Sequence, residues 1–298
     1  MKEYKGKAYA KINLSIDVGG KTSEGYHMVD MIMHQIEMHD DVTVRWIPAE
    51  DKPAGDIAIK VTTNRYYLPT DERNLAYKAA MLMAKTYAPT ECGGNIEIEI
   101  FKRIPVAAGL AGGSSNGAAV LIAMSSLWKL RLTTDELCRL GAELGSDVPF
   151  CVMGQRGTAT CARALGTGTI LEPLRRLKMN LVLVKPPMGV STREVYAGID
   201  DCPIEARPDN DTLIKDMARR DYPAIYGNMI NVLECYSINK YPEIAKVKAL
   251  LEDTNPQKAL MSGSGPTVFG IYRSEVEAKR ACKKMREYKY ESNWTRTI

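Results

Sequence analysis

The sequence predicts an α+β protein of two domains. Strands and helices alternate along it without a regular βα repeat, which argues against a doubly wound parallel sheet. Its 298 residues fit about two domains at roughly 150 residues each. An apolar share of 45% with 26% charged residues is that of a globular chain with real cores. It excludes a disordered chain, a collagen-like fibre and a disulfide mini-protein.

Residues 7–18, KAYAKINLSIDV, alternate with period two and predict a half-buried strand. Ala8, Ala10, Ile12, Leu14, Ile16 and Val18 share its apolar face, so Lys11 and Asn13 share the other. Gly19 to Tyr26 reads as a turn. The Met-rich run 28–38 reads as core packing, with His34 and His39 on a strand and at its exit. Short strands follow at 41–47 and 56–62. Thr70-Asp71-Glu72 predicts a helix start with acid in the first turn, and Leu75, Ala79, Leu82 and Met83 form its apolar stripe. Ile96, Ile98 and Ile100 predict an inward-facing strand. An apolar helix is expected over 115–130 and another over 134–144, stopping at Gly145. The second half predicts a strand at 180–185, several polar helices, a glycine loop at 262–265, a strand at 267–272 and a helix at 274–288. The Gly- and Thr-rich stretch 155–180 suggests a boundary, giving domains 1–160 and 161–298.

The formal charge is 40 − 36 = +4. Residues 271–298 hold eight Lys and Arg against four acids, so the rest of the chain is balanced. That excess reads as a solvated helix face, not as a nucleic-acid stripe with interleaved aromatics. Seven scattered Cys without C-x-x-C spacing argue against a disulfide framework or zinc ribbon and fit a reducing compartment. Only three His, at 27, 34 and 39, are present, which makes a His-rich metal site unexpected. No segment has signal-peptide or membrane-span character. A cytoplasmic protein with no membrane partner is the expectation.

The strongest local signal is Pro105-Val106-Ala107-Ala108-Gly109-Leu110-Ala111-Gly112-Gly113-Ser114-Ser115-Asn116, between a strand and a helix. Small residues let a backbone approach a ligand closely, and a helix N-terminus suits phosphate. No Lys follows the glycines, so this is not a Walker A loop. Gly113-Ser114-Ser115-Asn116-Gly117 also matches the G-x-S-x-G hydrolase elbow. That chemistry needs a His downstream of the serine, and all three lie upstream. Met261-Ser262-Gly263-Ser264-Gly265-Pro266 reads as a turn that could line the other side of a phosphate.

Three segments together resemble the GHMP small-molecule kinases: the Lys11-bearing strand, the P-x-x-x-G-L-x-G-G-S-S loop and the C-terminal S-G-S-G loop. Ala10-Lys11-Ile12-Asn13-Leu14, Glu24-Gly25-Tyr26-His27, Asp71-Glu72-Arg73-Asn74-Leu75 and Gly145-Ser146-Asp147-Val148-Pro149-Phe150 are similar to one branch of that family. Its acceptor is a cytidine-diphosphate-linked methylerythritol on the way to isoprenoid precursors. Ala111 stands where many members have Gly, and Gly117 where Ala is usual.

The resemblance implies a ribosomal S5 domain 2-like N-terminal domain and a ferredoxin-like C-terminal domain. It implies phosphoryl transfer from ATP with Mg²⁺ to an alcohol, by a monomer or homodimer that binds neither nucleic acid nor membrane. Asp147 is implied as general base and Lys11 as the cation that keeps it ionised and stabilises developing charge. The plain alternative for Asp147 is an N-cap before Val148-Pro149. ATP would lie against residues 105–116, with Asn74 near the nucleotide or bracing its helix, and Ser115 as an optional Mg²⁺ contact. Asn13 would bind the methylerythritol part. Tyr26 and His27 would recognise cytosine, with Tyr196 as the second stacking aromatic and Thr192 beside it. The rival readings are a mevalonate- or homoserine-type kinase, separated by the Tyr26-His27 pocket, and a non-catalytic nucleotide-binding regulator, which has no need of both Lys11 and Asp147.

Overall fold

The computed structural model describes residues 1–298. The chain divides into two compact units, each interleaved from three segments. The first holds Met1–Ala10, Met38–Ile104 and Ala111–Ala159, and the second Lys11–Glu37, Pro105–Leu110 and Thr160–Ile298. The last of these segments starts at Thr160. The first half of the chain is not one contiguous domain, however, because β1 (Lys2–Lys21) and β2 (His27–Ala49) each run through both units.

In the first unit, Asp41–Ala49 of β2 pair antiparallel with β4 (Gly93–Phe101), placing Val44 opposite Ile98. β3 (Ile57–Thr63) pairs parallel with β4. Four helices accompany this sheet: α1 (Leu75–Tyr87), α2 (Gly112–Leu127), α3 (Thr134–Leu144) and α4 (Val148–Gln155). The core joins Val42, Val44, Trp46, Ile96, Ile98 and Ile100 to Ala76, Ala79, Ala80 and Met83 of α1 and to the apolar length of α2. From Ser115 to Ser125 every residue of α2 is buried, as an all-round apolar helix demands. Gly117 packs beside Leu75 of α1, and a Cβ on it would stand at an ordinary van der Waals distance of 3.4 Å from the Leu75 carbonyl oxygen, so the Ala usual there would also fit. α3 starts at a capping box between Thr133 and Glu136.

In the second unit, Val29–His34 of β2 pair antiparallel with β5 (Cys161–Gly166), which pairs with β6 (Ile170–Pro173). A separate antiparallel sheet has the order β10 (Glu291–Arg296), β7 (Asn180–Lys185), β9 (Val268–Tyr272), β8 (Lys258–Met261). Its helices are α5 (Thr192–Gly198), α6 (Asn210–Arg219), α7 (Tyr222–Asn228), α8 (Glu234–Lys240), α9 (Pro242–Glu252) and α10 (Glu275–Glu287). Lys279, Arg280, Lys283 and Arg286 of α10 are exposed, the solvated basic face the sequence predicts. No helix is long and apolar enough to cross a membrane.

Several expectations are corrected. The strand at 7–18 is not half-buried: Ala10 through Ile16 are all buried. Its polar face is satisfied internally, with Lys11 bonded to Asn13 and Ser15 to Asn210. The strand expected at 41–47 is the end of a 23-residue strand, so His39 lies within it and not at its exit. Met31 and Met33 are core, as read, whereas Met28 is exposed. The helix expected from Thr70 begins at Leu75. Asp71 instead closes a turn by accepting from the Arg73 amide and guanidinium, leaving both acids before the helix. The Gly- and Thr-rich stretch 155–180 carries β5 and β6, which its composition did not announce, and α2 starts and ends three residues earlier than expected. β10 has no apolar alternation to reveal it. Its buried positions include Ser292 and Thr295, and Trp294 packs under Lys279, whose Nζ is 4.5 Å from the ring centroid.

Candidate active site

The glycine-rich loop is shaped by backbone. Ala107, Gly109 and Ala111 take positive φ of 50°, 72° and 56°. Ala111 occupies the N-cap of α2 in the left-handed conformation, with no side-chain cap. Neither serine caps the helix, so its first turn presents backbone N–H groups and the positive dipole end without a side-chain acceptor. Gly113 is exposed and Ser114 half-buried at this end. That is the chemistry of an anion site.

The rest of the loop is scaffold. The Ser115 hydroxyl is fully buried, donating to the Tyr9 carbonyl at 2.7 Å and accepting from Gln155 Nε2 at 3.0 Å. It does not fit the magnesium contact expected of it. Asn116 is also buried, donating from Nδ2 to Asp40 Oδ2 at 2.9 Å and accepting from Lys102 Nζ at 3.0 Å. Asp40 is the hub: it takes the Lys102 ammonium and the Arg103 and Ile104 amides, at 2.7 and 2.8 Å. This buried ion pair ties β2 and the strand leading into the loop to the start of α2. Nothing in local spacing links residue 40 to residue 102, so sequence reasoning missed it.

In the second unit, Pro105–Leu110 lie against the loop Ser262–Gly265. Ser262 Oγ donates to the Gly109 carbonyl at 2.9 Å. A Cβ on Gly109 would stand 2.2 Å from the Ser262 carbonyl oxygen. The second glycine loop therefore braces the first. Asn231 holds it from behind, donating to the Met261 and Gly263 carbonyls at 2.9 and 2.8 Å. Thr192 Oγ1 and Ser264 Oγ share a hydrogen bond of 2.9 Å.

Lys11 is 4% exposed and donates from Nζ to Asn13 Oδ1 at 2.7 Å; its amide donates to the Leu110 carbonyl. Asn13 has no exposed surface, and its Nδ2 points to the Met31 sulfur at 3.4 Å. Its carboxamide thus orients Lys11. Asp147 sits at the N-cap position of α4 with helical φ and ψ, and its side chain makes no capping bond. The alternative reading of Asp147 as a capping residue therefore fails. The buried α4 holds it at its tip, half-buried.

Asn74 caps α1: Oδ1 accepts from the Ala76 amide at 3.0 Å and Nδ2 donates to the Pro69 carbonyl at 2.8 Å. Its amide is taken up in bracing. Tyr26 is 67% exposed at the turn after β1. His27 and Tyr196 come together, with ring centroids 5.8 Å apart and planes tilted by 47°. Asp200, which sequence reasoning did not single out, bonds His27 Nε2 at 2.8 Å.

The first unit thus holds the backbone-built anion site and the half-buried Asp147, and the second unit holds the sheltered Lys11. Residues 74–155 match the GHMP kinases N terminal domain and residues 211–291 the GHMP kinases C terminal domain. The chain belongs to the GHMP kinase family. A relative from Clostridium botulinum named 4-diphosphocytidyl-2-C-methyl-D-erythritol kinase is 43% identical over 292 residues, 98% of this chain and 99% of the relative. One of the same name from Geobacillus kaustophilus is 44% identical, covering 95% of this chain and 92% of its own length. A crystal structure of 4-(cytidine 5'-diphospho)-2C-methyl-D-erythritol kinase superposes with a TM-score of 0.77 at 28% identity over 99% of both chains. A homoserine kinase from Cytophaga hutchinsonii, at 18% identity and TM-score 0.72, covering 100% of this chain and 95% of its own, shares the fold.

Proposed function

We propose that this chain transfers the γ-phosphate of ATP to the 2-hydroxyl of 4-diphosphocytidyl-2-C-methyl-D-erythritol, giving the 2-phosphate and ADP in isoprenoid precursor synthesis. The observation that carries the reading is near-full-length similarity to relatives of that name, at 43% and 44% identity in the two cited. The first turn of α2 would receive the nucleotide phosphates on its N–H groups, with magnesium arriving as part of the nucleotide substrate. Asp147 accepts the hydroxyl proton as the new phosphorus–oxygen bond forms and ADP leaves. Lys11, aimed by Asn13, offsets negative charge gathering on the transferred group. Tyr26 and Tyr196 stack on cytosine and His27 bonds its edge. The enzyme acts in the cytoplasm.

The test is ADP release from the purified protein with ATP and magnesium. The acceptors are 4-diphosphocytidyl-2-C-methyl-D-erythritol, mevalonate and homoserine in parallel. Release with the cytidyl compound alone is expected. Release with another alcohol overturns the acceptor assignment while keeping the class; nucleotide binding without release for any acceptor favours a regulator.

A further inference from the structure

α5 and the single 3₁₀ turn after it, Ile199–Asp201, form one continuous helical run. Tyr196 and Asp200 are four residues apart on it and so face the same way. Ile199 and Val195, both buried, anchor the run. It presents the Tyr196 ring and the Asp200 carboxylate to the same histidine. His27 Nε2 meets Asp200 Oδ1 at 2.8 Å, and the Lys21 ammonium takes Oδ2. The His27 side chain is only 6% exposed, against 46% for Asp200 and 47% for Lys21. The ring is thus sheltered while its partners are wetted.

An ionised carboxylate only accepts hydrogen bonds, so the imidazole nitrogen facing it carries the proton. The Lys21 ammonium and then His27 hold the Asp200 carboxyl below the usual carboxylate range, which keeps it ionised at neutral pH. In the neutral ring, Nδ1 is then an acceptor. Cytosine offers an exocyclic amino donor where uracil offers a carbonyl acceptor. We propose that Asp200 is a specificity-determining positioning residue: it locks His27 as the Nε2–H tautomer, so that Nδ1 accepts from the cytosine amino group and rejects uracil. The proposal rests on the cytidyl reading of His27 given above. Selection of the base is thereby set by a carboxylate that need not touch it, with Lys21 holding that carboxylate in place.

The experiment has two readouts, neither of which requires turnover. Nitrogen NMR of the imidazole rings is tractable because the chain has three histidines. It should show His27 protonated at Nε2 and bare at Nδ1 in the neutral ring. Titration calorimetry with CDP and with UDP should show CDP preferred by about tenfold or more, the effect of leaving one buried polar group unpaired. Asp200→Asn, whose amide can either donate or accept, should mix the tautomers and erase most of that preference, and Asp200→Glu should restore both. A wild-type ring protonated at Nδ1, equal binding of CDP and UDP, or an Asp200→Asn protein with unchanged tautomer and preference would each overturn the proposal. Failure of the kinase reading shows separately, as absent ADP release from a protein that still prefers CDP.

Discussion

At the scale of single residues, the site is made of side chains whose roles are set by what holds them. Lys11 is a buried ammonium whose direction is fixed by Asn13. Asp147 occupies a helix start without capping it. Asp147→Asn keeps the shape and removes the proton acceptor. It is expected to lower kcat by about a hundredfold or more, the usual contribution of a general base, while ATP affinity measured by calorimetry stays near the wild-type value. Unchanged turnover would remove Asp147 from the base role. Much of this was legible in the sequence. Lys11 and Asn13 lie two apart on a strand and so share a face, and the family pattern pointed to Asp147. What spacing could not carry was burial: two polar residues on an alternating strand read as solvent-facing until the rest of the second unit covers them. Asp200 was invisible for a similar reason, since its partner lies 173 positions away.

At the scale of elements, the two glycine loops act as one construction. Gly109 is held at φ +72° with its Cα against the Ser262 carbonyl, a place where any side chain meets both left-handed strain and overlap. Gly109→Ala is expected to cost at least about 2 kcal/mol of stability. It should also depress activity sharply, because the displaced loop leads directly into the first turn of α2. Thermal melting beside an ATP titration checks this: a variant with unchanged melting and nucleotide binding would show that the contact is dispensable. Long periodic elements such as β4, α3, β7 and α10 were readable because each carries its apolar pattern within one segment. β5 and β10 were not. Neither carries an apolar alternation, and only pairing with β2 and β7 makes them strands.

At the scale of the whole molecule, His34 links fold to pH. Its ring is fully buried, donating from Nδ1 to the Gln35 carbonyl and accepting the Leu177 amide at Nε2. Burial pushes its pKa down to about 4 from 6.5. Between those values the unfolded chain binds a proton that the folded chain refuses. Stability is therefore complete above about pH 6.5 and lost as pH falls toward 4, by about 3 kcal/mol in all. Urea midpoints across that window should fall for the wild type and fall less for His34→Gln; parallel slopes would show that another group governs the acid limb.

The second unit also joins Ile16 to Asn231 and Ile36 to Thr297. A ribosome adds about 5–20 residues per second, so the strands around residues 16 and 36 emerge tens of seconds before their partners exist. During synthesis they wait as long apolar ribbons with unpaired edges, the state most open to wrong pairing. Completion of the second unit thus waits for the segments that carry Asn231 and Thr297. Slowing elongation late in the message should lengthen that exposed interval and raise the demand for chaperones, whereas the same delay placed before residue 11 should leave folding yield unchanged.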